Sequence, residues 1–180
     1  VKIRELKTSD FGPIQSLSDS VFGLGYIDKN TLNLVGERTC RNGITSSFVL
    51  ENEGEIIGFR LTYAAGTWLE YTELNYTTDK WKLSVEEVCY FKVNCLHSDF
   101  RGKGLGQRLL ETSISASMEQ GAKAGVADIW LNSPNNSAYR YFERVGGEVV
   151  NIHHGRWRGN PCIRCYTECR CLGAEMILRF

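Results

Sequence analysis

Residues 96–110 read Leu-His-Ser-Asp-Phe-Arg-Gly-Lys-Gly-Leu-Gly-Gln-Arg-Leu-Leu, a strand end, a glycine-rich turn and a helix start in immediate succession. That order builds an anion site. The first four N–H groups of a helix have no intrahelical acceptor and sit at the positive end of its dipole, so a turn bare of side chains lets a pyrophosphate reach them. Gly102, Gly104 and Gly106 supply the bare backbone. Walker A chemistry is excluded, because no Gly-Lys-Ser/Thr provides the phosphate lysine and the magnesium hydroxyl. The dinucleotide pattern Gly-x-Gly-x-x-Gly fails on spacing. What remains is Arg-x-x-Gly-x-Gly, from Arg101 to Gly106.

A second cluster of reactive side chains is Cys162-x-x-Cys165-x-x-x-Cys169-x-Cys171, with His153 and His154 just upstream. Cys-x-x-Cys is a zinc half-site, yet the second half lacks the usual knuckle spacing. Read with a strand period, Ile163, Cys165, Cys169 and Cys171 share one face, and Arg164, Tyr166, Glu168 and Arg170 share the other. Cysteine packs as a small apolar residue, so a core-facing strand without metal is expected here, with zinc and disulfides as the alternatives.

Periodicity places the elements around these groups. Residues 1–6 alternate as a strand, and Thr8-Ser9-Asp10 offers caps for a helix carrying Ile14, Leu17 and Val21. A short helix is expected over 31–37. Runs 46–50 and 55–63, separated by Glu51-Asn52-Glu53-Gly54, read as an antiparallel hairpin. Residues 64–84 carry Trp68, Tyr71, Tyr76 and Trp81 and suit an extra hairpin or a flap over the site; aromatic packing, or a contact between two copies in a homodimer, competes with that reading. Residues 89–96 form the strand before the glycine turn. Leu110, Ile114 and Met118, with Leu105 and Leu109 leading in, mark the helix after it, and Gly121 stops that helix. A strand over 126–131, a helix over 138–145 ended by Gly146-Gly147, and strands over 148–152 and 174–180 complete the chain. The sum is an α+β fold in three layers, a mixed, mostly antiparallel sheet of six or seven strands flanked by helices.

At this point the chain resembles the GNAT superfamily of acyl-CoA-dependent N-acyltransferases, whose cofactor motif is Gln/Arg-x-x-Gly-x-Gly/Ala between the fourth strand and the third helix. Arg101, Gly104 and Gly106 match it. A second block, from Asn135 to Gly146, is similar to the family's Asn-x-x-Ala-x-x-x-Tyr-x-x-x-Gly helix: Asn135, Ala138 and Gly146 fit, and Phe142 stands where the family has tyrosine.

The resemblance implies transfer of an acetyl group from acetyl-CoA, the co-substrate, to an amine on a small molecule or a peptide. Gly102, Lys103, Gly104, Leu105 and Gly106 would present backbone N–H groups to the pyrophosphate, with Arg101 at the start of the turn and the Lys103 side chain as a counter-charge. In the family two central strands splay apart around the pantetheine arm; here the backbone meeting the thioester would be Asn94, Cys95 and Leu96. An N–H aimed at the developing oxyanion contributes roughly 3 kcal/mol to such a barrier. Asn135 would hold the arm from the other side. Glu86 and Glu87, leading into the strand, are the first candidates for the base that removes the amine's proton, with Glu73 and His97 in reserve. Phe142 has no proton for the leaving thiolate, and Tyr141 and Tyr139 are the hydroxyls nearest in sequence.

A chain of 180 residues fits one domain, and zero formal net charge leaves no electrostatic footprint for nucleic acid or an anionic membrane. The charged opening Val1-Lys2-Ile3-Arg4-Glu5 is not a signal peptide, and no apolar run reaches membrane-span length, so a cytoplasmic protein is expected. Two rivals stay open: a CoA-binding module without catalysis, and an interaction domain with a zinc-binding cysteine-rich segment at 153–173.

Overall fold

In the computed structural model the described residues are 1–133, 136–159, 165–166 and 168–180. The elements in chain order are β1 (Lys2–Glu5), α1 (Phe11–Phe22), α2 (Lys29–Arg38), β2 (Cys40–Arg41), β3 (Ile44–Thr45), β4 (Phe48–Asn52), β5 (Glu55–Tyr63), β6 (Val88–Leu96), α3 (Leu105–Glu119), β7 (Ala124–Trp130), α4 (Ser137–Arg144), β8 (Glu148–His154) and β9 (Leu172–Arg179). Seven strands form one sheet in the order β1-β4-β5-β6-β7-β9-β8, and β2 and β3 make a separate small hairpin. Every neighbouring pair in the large sheet is antiparallel except β6 and β7. The architecture is the expected α+β one, with a mixed, mostly antiparallel sheet.

The two-residue turns that close the hairpins have a plain cause. Asn42 and Gly43, and Glu53 and Gly54, all have positive φ, the twist that a tight hairpin between right-twisted strands requires. The 12-residue α1 and the 10-residue α2 cover one face of the sheet, where Ile14, Leu17, Leu32 and Val35 pack with Phe59, Leu61, Val88, Tyr90 and Val126. Asp10 does not cap α1 with its side chain; Arg4 (2.7 and 2.8 Å) and the Lys7 N–H (2.8 Å) occupy the carboxylate instead.

Helices α3 and α4 cover the other face. Leu105 and Leu109 pack on Phe48, Leu50 and Ile57, while Leu110 and Phe142 pack on Phe91, Ile129 and Met176. Met118 is 51% exposed, so the apolar stripe expected through Leu110, Ile114 and Met118 does not hold to its end. Each four-residue step overshoots a full turn by about 40°, and two steps swing Met118 out to solvent. Ser113, Ala116 and Ser117 are the buried residues of those last turns. Such small side chains let α3 approach the sheet closely, and Ser113 Oγ lies 2.8 Å from Thr62 Oγ1. Gly121, at φ +97°, ends the helix, with the Ala122 N–H reaching back to Ser117 O at 2.9 Å.

Residues 64–84 contain no strand and so form no extra hairpin. They run as short 3-10 turns that drop Trp68 and Trp81, 2% and 0% exposed, into the core beside Tyr90. The Trp68 indole donates to Val88 O (2.8 Å) and the Trp81 indole to Glu175 Oε1 (2.6 Å), so both polar atoms are satisfied in the interior. Among the described residues the strand expected through the cysteines is likewise not formed. Among the described residues, β9 begins only at Leu172, and Cys165, Cys169 and Cys171 lie in the irregular connection before it. No helix among the described residues is long and apolar enough to cross a membrane.

Candidate functional site

β6 and β7 run side by side for only three residue pairs, ending at Tyr90 and Val126. Beyond that point β6 stays on β5 as far as Leu96, and β7 stays on β9 as far as Trp130. A gap therefore opens between the two central strands, and the backbone groups facing it must find water or a ligand. A bulge on β6 marks where the strands part. Leu61 pairs with Val93 and Thr62 with Phe91, which leaves Lys92 as the extra residue. A bulge bends its strand and reverses the side-chain alternation beyond it. Before it, Cys89 and Phe91 face the α3 side; after it, Val93 and Cys95 join the α1 side while Leu96 packs with Leu105 and Leu109 under α3.

The glycine turn stands at the open end of this gap. Gly102 and Gly104 have φ of +74° and +73°, and a Cβ on either would meet nothing within 4 Å, so the turn presents uncovered backbone. After Arg101, the next N–H engaged by the backbone belongs to Arg108, bonded to Gly104 O at 3.1 Å; those of the turn and first helical turn have no backbone acceptor among the described residues. The Arg101 side chain folds back, its Nε donating to Leu96 O at 3.1 Å, which pins the turn to the strand end. Lys103 is exposed, with Nζ 5.2 Å from the Phe100 ring centre. Leu105, 7% exposed, anchors the start of α3. Asn94 lies beside Gly106 with its Oδ1 buried and unbonded. Asn135 falls outside the described residues.

Two further groups lie under α3: Arg60, which no sequence motif signalled, and Tyr141, a candidate from its place beside Phe142. Arg60, on β5 opposite Asn94, is 2% exposed, has no partner for Nε, and stacks its guanidinium 4.5 Å from the Phe91 ring centre. Tyr141 donates its hydroxyl to Gly106 O at 3.0 Å, so it reaches the first turn of α3, while Phe142 is buried against Phe91. Burial, opposed by Arg60, raises the Tyr141 pKa and keeps its proton on at neutral pH. Burial also pushes the Cys89 and Cys95 thiols up to about 12. Neither is a thiolate nucleophile at neutral pH.

Glu86 and Glu87 stand at the paired end of β6, away from the glycine turn. They precede β6 at the end where it is paired to β7, and Glu87 lies nine residues, roughly 30 Å of extended chain, from Leu96 beside the glycine turn. Glu87 is taken up by Lys123 at 2.5 Å and by Ser84 at 3.0 and 3.1 Å, which hold its pKa down at about 2. Glu86 is exposed and lies against Gly66. Glu73 is exposed, and His97 accepts a long bond from the Asp99 N–H at 3.4 Å. The carboxylate at the fork is instead Asp128 on β7. It accepts from Tyr90 (3.0 Å), from Tyr76 and from Arg156 Nε (2.7 Å), and the Asp128 and Arg156 side chains are only 4% and 3% exposed. Burial and the neighbouring Asp128 charge raise the pKa of both tyrosines. A charged residue inside the apolar run 126–130 was the available signal for Asp128. Nothing in the spacing pointed to Tyr76 or Arg156.

Next to this network, on the α2 side, is a cavity of about 120 Å³ lined by Arg38, Tyr63, Trp68, Tyr71, Tyr90 and Lys92. Tyr90 thus has one neighbour in Asp128 and another in the cavity.

A parted pair of central strands, with a bare helix N-terminus at the open end, defines a protein of the acyl-CoA N-acyltransferase type. The family model described as acetyltransferase (GNAT) family matches residues 27–147, and the chain belongs to that family. No curated protein matches the chain. Among solved structures, it is similar to the ribosomal-protein-S18-alanine N-acetyltransferase of Escherichia coli (17% identity, 99% of this chain and 92% of that one, TM-score 0.70). It is also similar to Arabidopsis thaliana Naa50 in complex with the bisubstrate analogue CoA-Ac-MVNAL (13% identity, 99% and 98%, TM-score 0.67). A third is yncA of Salmonella typhimurium, a putative acetyltransferase with its cofactor acetyl-CoA (18% identity, 99% and 92%, TM-score 0.66). At these identities the likeness shows the fold.

Proposed function

We propose that this protein is an acetyl-CoA-dependent N-acetyltransferase that moves an acetyl group to a primary amine of a small molecule or peptide by direct attack. The observation that carries the reading is the coincidence of the β6–β7 gap with the uncovered N–H groups of Gly102–Gly106 at its open end. The buried atoms fit such a co-substrate. Asn94 Oδ1 and Arg60 Nε are orphaned on the α3 side of the gap, an acceptor and a donor for an arm rich in amide groups. Gly102–Gly106 would take the pyrophosphate, and the Asn94–Leu96 backbone would face the thioester. Asn135 stays an expectation from the motif.

Direct attack is supported by the two protonated cysteines of β6, which offer no thiolate to carry the acetyl group. Tyr141 supplies the proton for the departing thiolate, since its hydroxyl reaches the α3 turn where Phe142 offers none. On the opposite face Tyr90, polarised by Asp128, presents its oxygen to the amine entering from the cavity. The neighbours described as a ribosomal-protein-S18-alanine N-acetyltransferase and as Naa50 with the bisubstrate analogue CoA-Ac-MVNAL support a peptide amine as one acceptor class.

Calorimetric titration with acetyl-CoA and with CoA tests the donor site. Micromolar binding by the native chain and none by Gly104→Asp is the expected result, and no binding of either by the native chain overturns the reading. Phe142 favours a second reading, a CoA-binding module without turnover. CoA release above background with any member of an amine and peptide panel eliminates it.

A further inference from the structure

The connection from Gly155 to Cys171 between β8 and β9 has no regular structure among its described residues, and its length calls for something that orders it. The sulfur atoms of Cys165, Cys169 and Cys171 all lie within 4.8 Å of one another. Cys165 Sγ and Cys171 Sγ are 3.7 Å apart, far beyond the roughly 2 Å of a disulfide. Two thiolates on one tetrahedral zinc, each about 2.3 Å from the metal, stand about 3.8 Å apart. The pair therefore has the separation of zinc ligands. Cys169 and Cys171 are 3% and 5% exposed, and the Arg170 N–H points at Cys165 Sγ at 3.4 Å, the kind of backbone donor that stabilises a thiolate.

We propose that Cys165, Cys169 and Cys171 bind a structural zinc ion. Three thiols lose their protons to solvent as the metal binds, and the soft sulfur set selects zinc over calcium or magnesium. Cys162, three positions before Cys165 in sequence, lies outside the described residues. The site serves the loop rather than the acyl transfer. Arg156 N–H donates to Cys171 O at 3.3 Å, Leu172 N–H donates to Asn132 Oδ1 at 2.9 Å, and the Arg156 side chain runs on to Asp128 (2.7 Å) and to Asn75 O. A metal at the three sulfurs thus fixes the segment that seats Arg156 against the Asp128–Tyr90 pair.

The test is independent of any acetyl-CoA chemistry. The full chain, expressed with zinc in the medium and purified without chelator, is assayed for metal by mass spectrometry. About one zinc per chain is expected, retained in Cys40→Ser and reduced below about half an equivalent in Cys169→Ser. Cobalt titration of the zinc-stripped native chain covers the case in which Cys169→Ser does not fold. A tetrahedral cobalt spectrum with a charge-transfer band from at least three thiolates is expected, displaced by one equivalent of zinc. Absence of zinc and of the cobalt band, or a disulfide among these cysteines in the protein purified under reducing conditions, overturns the proposal.

Discussion

Tyr141 illustrates how far a single residue can be read from the chain. The sequence offered it only as a neighbour of Phe142, and helical spacing turned it away from that position; the structure gives it a different target, Gly106 O on the facing helix. Tyr141→Phe is expected to lower kcat by about 10²-fold, within the range of general acid catalysis, with little change in acetyl-CoA affinity. A stopped assay of CoA release beside calorimetry separates the two quantities; equal loss of affinity would make Tyr141 a packing residue. Tyr90→Phe should lower kcat on the acceptor side by a similar factor, again without weakening acetyl-CoA. Glu87 makes a prediction of another kind. Its folded pKa of about 2 lies below the ordinary value of 4.5, so its contribution to stability is complete above pH 4.5 and is lost as the pH falls towards 2. Thermal melts of the native chain and of Glu87→Gln should differ at pH 6, and the difference should shrink as the pH is lowered towards 2. Glu86 and Glu87 looked like bases because sequence position cannot tell which end of a strand will be joined to its neighbour and which will open.

Among the elements, β6 and α3 were the most legible, since a run of aromatic and β-branched residues, a glycine turn and an apolar helix are all local signals. The bulge at Lys92 was not, because it exists only as a mismatch of register with β5. That one extra residue marks where β6 leaves β7 and decides that Leu96 lies under α3. Glycine has an element-scale role at the base of the fork as well. A Cβ on Gly125 would stand 2.2 Å from Phe91 Cε2, so Gly125→Ala is expected to cost about 1–3 kcal/mol by overpacking. Differential scanning should show a lowered Tm, with Phe91→Leu restoring part of it in the double variant. An unchanged Tm would mean that the two strands have slack where they meet.

At the scale of the whole molecule, the long connections carry what the strands and helices do not. Residues 64–84 bring Tyr76 and Trp81 to the α1–α2 side of the sheet, where Tyr76 meets Asp128 and Trp81 meets Glu175, and the cysteine segment brings Arg156 to the same place. Zinc removal by a chelator is therefore expected to raise amide hydrogen exchange around Arg156 and Asn75 while leaving α3 protected and acetyl-CoA affinity unchanged. Loss of protection throughout would make the metal a determinant of the entire fold. The sequence by itself determined the glycine turn, the family resemblance and most of the regular elements, because each rests on contacts within a few residues or on a motif that stays contiguous. Only the tertiary structure decided the β6–β7 gap, the Asp128–Tyr76–Tyr90–Arg156 network and the meeting of the three cysteine sulfurs. Those depend on register between strands and on loops that join residues far apart in the chain, and neither property is written in any one segment.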